Sequence, residues 1–249
     1  MVITPYKTDP ITIGMDLHSM LHGYLPIIQE KEIVVVTSKI ISICEKNIKK
    51  ITTVEEKRAL VQKESQQYVD NDLTRRYGFQ LTIAHNLLVS NAGIDESNGN
   101  GFTVLWPKNP MESARTIWEF IRTQFRCTHV GVIITDSHST MLRYGTTGIG
   151  LAWCGFEPLH SYIGQRDIFG RKFTVQQSNI LDGLAAAAVV TMGEGDEQTP
   201  IAVIKGAQNV TFTDAPPTDQ DIASLHIEME KDMYAPLLMH ADWKKGHAA

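Results

Sequence analysis

Glu32-Ile33-Val34-Val35-Val36-Thr37 is a run of β-branched residues with no polar break inside it, and it leads directly into Ser38-Lys39. A strand with one wet face alternates apolar and polar residues. A continuous apolar run reads instead as a strand covered on both faces. Val130-Gly131-Val132-Ile133-Ile134-Thr135 repeats the pattern and ends at Asp136-Ser137. Residues 201–205 form a third, shorter strand, and residues 79–88 one or two more.

Helical spacing appears between these runs. Residues 16–25 read as a short helix and residues 54–68 as a charged one. In residues 111–126, Ile117, Phe120, Ile121 and Phe125 recur at helical intervals behind Pro110. Residues 178–192 give the clearest helix, and residues 218–234 a final amphipathic one opened by a Thr218/Asp221 capping pair. Strands and helices mix without strict alternation. The fold class is therefore α/β (mixed α+β), with no repeat, low-complexity tract or long linker. Pro216-Pro217 divides a domain over residues 1–214 from a helical extension over residues 215–249.

The chain has 249 residues, 43% hydrophobic and 20% charged. That is long enough to bury a core without disulfides, which excludes disorder, collagen and coiled coil. Lys and Arg number 23 against 28 Asp and Glu, a net charge of −5, so no basic excess answers a nucleic-acid backbone. Cys44, Cys127 and Cys154 are odd in number and lack CxxC spacing, which reads as free thiols in a reducing compartment. Residues 1–6 lack a signal-peptide pattern and the longest apolar run, residues 184–190, has seven residues, so the expectation is a cytoplasmic protein with no membrane span.

Chemistry concentrates at the strand ends. Asp136 follows one strand, and Asp95 lies in the turn-rich stretch 90–101. Each is either a turn or cap residue or a ligand for a hard cation such as Mg2+ or Mn2+, with the Ser137 hydroxyl as a further donor. Lys39 is either solvent-facing or a phosphate contact. Gly193-Glu194-Gly195-Asp196-Glu197 is either a hydrophilic turn or a place where backbone approaches a nucleotide. Arg166 and Arg171, around Phe169-Gly170, form a surface turn or offer cations to an anionic substrate. Arg75-Arg76 reads as a solvated turn. His138 is a structural histidine or a base, and His18 and His22 read as two surface histidines. Neither GxGxxG nor GxxxxGK[ST] occurs.

Four segments, in this order, resemble the coenzyme F420-0:γ-glutamyl ligase family. They are residues 34–40 (VVVTSKI), 91–98 (NAGID followed by Ser97-Asn98), 133–137 (IITDS), and 167–194, which carries D-x-FGR, LAAAA and MGE. Together they span roughly residues 10–206. The resemblance implies an enzyme that joins L-glutamate to a carboxylate through an amide bond, using GTP and Mg2+ or Mn2+, in an intertwined homodimer. It implies Asp95, Asp136, Ser137 and Glu194 at the metal, and Ser38, Lys39, Asn98, Gly193 and Gly195 at the nucleotide. Residues 10–14 correspond to an N-terminal nucleotide loop. Arg143, Arg166, Arg171 and His138 are left for substrate, and no side-chain nucleophile is implied. The acceptor is a deazaflavin or, in folate-directed members, a pterin.

The chain departs from the pattern in two places. Relatives often carry lysine where Ile43 stands, and Thr-Phe-Gly-Arg where Ser137-His138-Ser139-Thr140 stands. Beside the F420-0-type reading these departures leave two others: a folate-directed ligase, and a non-catalytic nucleotide-binding homologue.

Overall fold

A computed structural model describes residues 1–248. The chain opens with β1 (Val2–Tyr6), α1 (Leu17–Tyr24), β2 (Ile33–Thr37) and α2 (Ser38–Cys44). Then come β3 (Ile48–Lys49), α3 (Val54–Glu64), β4 (Gln67–Val69), α4 (Asp72–Tyr77), the hairpin β5 (Leu81–Ala84) and β6 (Leu87–Ser90), and β7 (Thr103–Val104). After α5 (Pro110–Phe125) the chain forms β8 (Gly131–Ser139), β9 (Thr146–Cys154), β10 (Leu159–Ser161), β11 (Gln177–Asn179), α6 (Ile180–Met192) and β12 (Ile201–Lys205). It closes with α7 (Asp219–Leu225), α8 (Ala235–Leu238) and β13 (Trp243–Lys245).

The two β-branched runs are neighbours. β2 and β8 lie parallel, with Val34 opposite Val132 and Thr37 opposite Thr135, at the centre of a five-stranded sheet ordered β1-β12-β2-β8-β9. All other pairings in this sheet are antiparallel. The period of two then sorts the side chains. Val34, Val36, Val132 and Ile134 pack on Leu21 of α1 and on Ile117 and Ile121 of α5. Ile33, Val35 and Ile133 pack on Leu181, Ala185 and Ala188 of α6. Helices thus cover both faces, which is why the strands carry no polar alternation. Asn109 caps α5 by accepting from Glu112 N, with Pro110 in the first turn.

The α6 layer sits close because β9 presents glycine to it. A Cβ on Gly150 would stand 2.3 Å from Leu181 Cγ, and one on Gly148 would stand 2.5 Å from the Ala185 carbonyl oxygen. Gly148 and Gly150, both within the strand, thus let β9 and α6 approach this closely.

Five expectations change. Residues 136–139 continue β8 past a bulge after Ile134, because β9 pairs with them as far as Ser139 opposite Thr146. The helix expected over 54–68 stops at Glu64, since Gln67–Val69 is claimed by β5 on one side and β13 on the other. Arg75 and Arg76 lie in α4, whose Asn71 capping box starts the helix. The C-terminal segment has the Thr218/Asp221 capping box, but α7 ends at Leu225; a second short helix and β13 follow. His18 is also not a surface residue: its ring stacks on Phe120 at 4.8 Å.

Asp70, between β4 and α4, ties three elements together. It accepts from Arg75 Nε at 3.1 Å and from Arg58 of α3. The Arg75 hydrogen bond, reinforced by the charges of Arg58 and Arg75 and opposed by burial, holds its carboxyl below the ordinary value. A depressed carboxyl contributes stability above its unfolded pKa of about 4 and loses it as pH falls through the folded value. Asp70→Asn is therefore expected to cost about 2 kcal/mol at pH 7. Melting curves between pH 5 and pH 3 should fall less steeply for the variant than for the parent.

Candidate active site

β2 and β8 end side by side, and the loops that leave them bound a cavity of about 730 Å3. Ligands in open α/β sheets bind at this carboxyl end of the parallel strands. Five segments distant in sequence meet there. Residues 8–13 form one wall, Lys39, Ile40 and Ile43 of α2 a second, and Asp95 with Asn98–Asn100 a third. Asp136 and Ser137 of β8 form a fourth, and residues 192–200, at and after the end of α6, a fifth.

The stretch Asn91-Ala92-Gly93 delivers the Asp95 loop. All three residues have positive φ, at 52°, 53° and 71°. This geometry is natural for glycine and unusual for alanine, so the surroundings must hold it. Asn91 Oδ1 accepts from Gln80 N at 2.8 Å, and Ala92 N donates to Thr82 Oγ1 at 2.8 Å. A Cβ on Gly93 would meet the Trp106 indole at 2.0 Å. The turn is thus moulded onto Trp106, and Trp106 Nε1 donates to Asp136 Oδ2.

Asp136 and Asp95 differ in electrostatics. Burial pushes the Asp136 carboxyl up to about 6; bonds from Trp106 and the Ser137 N–H, the charge of Lys39 and a Ser38 bond pull down without overcoming it. For Asp95, burial pushes up, but bonds from Lys39 and Ser97 outweigh it and hold the carboxyl below its ordinary value. Lys39 Nζ donates to Asp95 Oδ2 at 2.6 Å, Ser97 Oγ at 2.9 Å and the Ser97 carbonyl at 3.0 Å. Asn98 Nδ2 donates to the Gly195 carbonyl at 2.9 Å, which joins the Asp95 loop to the glycine-rich loop across the cavity. Glu194 is exposed, with Thr146 Oγ1 at 3.4 Å from its carboxylate.

The sequence-derived residues divide cleanly. Lys39, Asp95, Asn98, Asp136, Ser137, Gly193, Glu194 and Gly195 all line this one cavity. Ser38 is buried behind it, at the start of α2. Arg143, Arg166, Arg171 and His138 do not line it. Arg143 is exposed between β8 and β9, and Arg166 donates to the Gly170 carbonyl in a turn that Asp167 closes by accepting from Phe169 N and Arg171 N. His138 lies on β8, where burial lowers its pKa. Asp9 and Trp106 belong to the site but carry no local signal: one precedes a proline, the other sits in an apolar stretch.

The cavity wall carries six carboxylates (Asp9, Asp95, Asp136, Glu194, Asp196 and Glu197) and one ammonium, Lys39. Among the described residues no three His, Cys, Asp or Glu side chains converge closely enough to form a metal site by themselves. The oxygen donors nonetheless suit a hard divalent cation. Mg2+ takes one or two carboxylates and completes its shell with water and substrate phosphates, so a dense protein cage is not required. Asp136, buried at a cost to its charged form, is the donor such a cation would relieve most. No helix among the described residues is long and apolar enough to cross a membrane.

The fold and cavity define a mixed α/β protein with one acidic ligand site at the carboxyl ends of its parallel strands. A profile of the F420-0:Gamma-glutamyl ligase family matches residues 6–206. The chain belongs to this family and is, by that membership, a ligase. Coenzyme F420:L-glutamate ligase of Methanocaldococcus jannaschii is 41% identical over 128 residues, which cover 51% of each chain. The protein of that name from Methanococcus maripaludis is 31% identical over 200 residues, 75% of this chain and 80% of its own. That from Halobacterium salinarum is 37% identical over 116 residues, 46% of this chain and 44% of its own. The matched stretch thus spans about half the length of the first and third of these relatives.

Proposed function

We propose that this chain is a GTP- and divalent-cation-dependent γ-glutamyl ligase that joins L-glutamate to a carboxylate of a cofactor precursor of the coenzyme F420-0 type. The observation that carries the reading is the charge imbalance in the cavity. A triphosphate cannot enter a site of six carboxylates and one ammonium unless cations accompany it.

Mg2+ or Mn2+, held by Asp95, Asp136, Glu194 and the Ser137 hydroxyl, would neutralise phosphate charge and favour phosphoryl transfer. A carboxylate is a poor electrophile, and the γ-phosphoryl group of GTP converts it to an acyl phosphate with a good leaving group. The glutamate amine then forms the C–N bond as the C–O bond to phosphate breaks. Lys39 bonds to Asp95 in the cavity wall and would offer its ammonium to a phosphoryl oxygen. The Asn98 bond to Gly195 fixes the two loops that embrace the nucleotide. Ile11, Ile13, Ile40, Ile43 and Val189 keep part of the wall apolar, which limits hydrolysis of the acyl phosphate.

The working unit is a homodimer. Leu142 and Tyr144 at the β8–β9 tip, and Ile168, Phe169 and Val175 between β10 and β11, are almost fully exposed. Apolar projections of this kind suit burial against a second copy. Sedimentation should give twice 27.8 kDa; a mass of 27.8 kDa would refute the dimer.

Incubation with GTP, L-glutamate, Mg2+ and F420-0 should yield acceptor heavier by one glutamate less one water, and chelation of the cation should abolish it. Ile43 in the cavity wall, where relatives often place lysine, favours a second reading as a nucleotide binder. Tight GTP binding with no product from either a deazaflavin or a pterin acceptor would support that reading instead.

A further inference from the structure

Asp95 and Asp136 stand on separate elements, yet one side chain touches the mounting of both. Trp106 is 6% exposed and lies outside the cavity lining, so it meets no ligand itself. Its indole N–H donates to Asp136 Oδ2, while the Ser137 N–H donates to Oδ1 at 2.8 Å. One donor on each oxygen fixes the plane of the carboxylate and leaves each oxygen a further lone pair. The same indole packs on Gly93, where a Cβ would collide with it. Gly93 closes the positive-φ turn, and Asp95 follows two residues later. Asp95 N donates to the Val104 carbonyl at 3.0 Å and Val104 N to the Asp95 carbonyl at 2.8 Å, two residues before Trp106. Asp95 is thus tied to this tryptophan through the backbone and through the ring.

Trp106 is itself held. Asn47 Nδ2 donates to its carbonyl at 2.7 Å, and Leu105 N donates to the Asn47 carbonyl at 3.2 Å. Asn47 lies just beyond α2, the helix that carries Lys39. The His85 ring stands beside the indole, with centroids 5.7 Å apart. Trp118 shows what a tryptophan of this core does without such a task. It is 2% exposed and packs on Gly155, where a Cβ would likewise collide. Its N–H goes to a neutral acceptor, the Val130 carbonyl, at 2.9 Å. A donor given to a carboxylate makes a stronger bond, and it restrains the group that a cation must meet.

We propose that Trp106 is a positioning residue that presets the Asp136 carboxylate, and through Gly93 the Asp95 turn, for a divalent cation. The inference rests on the reading of the cavity as a cation site and adds the residue that orders its donors.

The test is binding of Mn2+ alone to the full chain, followed by electron paramagnetic resonance of the free ion, which needs no turnover. Trp106→Phe keeps a ring on Gly93 but loses the N–H, and should weaken Mn2+ about tenfold or more. Trp118→Phe loses a similarly buried N–H and should bind Mn2+ as the parent does. In the Asp136→Asn background, Trp106→Phe should cost less than about twofold, because its effect passes through that carboxylate. Mg2+ should also shift the indole N–H resonance of Trp106 in the parent and leave that of Trp118 in place, a measurement that stands even if Trp106→Phe fails to fold. Equal affinity in the parent and Trp106→Phe, an equal loss in Trp118→Phe, an undiminished effect in the Asp136→Asn background or an unmoved Trp106 resonance each overturns the proposal and leaves the cation site standing. A parent that binds no Mn2+ at millimolar concentration removes the cation site, and this proposal with it.

Discussion

Asp136→Asn is expected to lower turnover at least about a hundredfold, equivalent to about 2.7 kcal/mol of transition-state stabilisation, without unfolding the protein. The two halves of this expectation share one cause. Burial already raises the Asp136 carboxyl to about 6, so the fold bears a cost for keeping it charged. Asparagine has nearly the same shape and can still accept from Trp106, so the melting temperature should stay level or rise. The charge is what is lost, and with it the donor that a divalent cation would relieve most. Such a trade of stability for charge is typical of residues kept for function. Parallel melting curves and steady-state rates read both halves. Full activity in the variant would remove Asp136 from the site's chemistry.

Gly148→Val carries the largest expected cost to the fold. Its Cβ would stand 2.5 Å from the Ala185 carbonyl oxygen and 2.7 Å from Val189 Cγ2. The side chain of Val189 can turn aside, but the α6 backbone cannot, so the helix must lift from β9. We expect a loss of about 3 kcal/mol and a melting temperature lower by roughly 6–12 °C. Activity should fall with it, because the glycine-rich loop of the cavity begins where α6 ends. Gly183→Ala is the internal control. It lies within the same helix and a Cβ there meets nothing within 4 Å, so it should stabilise by up to about 1 kcal/mol. Equal melting temperatures for both variants would contradict the packing account.

What sequence alone reveals, and what it conceals, follows from the range of the forces involved. The β-branched runs of β2 and β8 announce buried strands because both faces of each strand obey the same rule. α5 and α6 are legible from helical spacing and from their start signals. Asp95 and Asp136 stand out because a carboxylate at a strand end is unusual whatever surrounds it. Residues 136–139 are too polar to read as strand, and only the partner strand β9 keeps them in the sheet. The early end of α3 depends on β13, which lies nearly two hundred residues further along the chain. Trp106 joins the site through a contact 30 residues away with Asp136 and through the shape of Gly93. No local pattern encodes any of these three.

The proposed reaction is activation of a carboxylate by phosphoryl transfer in the acidic cavity. The most direct measurement uses F420-0 whose acceptor carboxylate carries 18O, incubated with GTP, L-glutamate and Mg2+. If an acyl phosphate forms, one labelled oxygen leaves with the phosphoryl group, and the inorganic phosphate released should carry one 18O for each amide formed. Amide product accompanied by unlabelled phosphate would contradict the account.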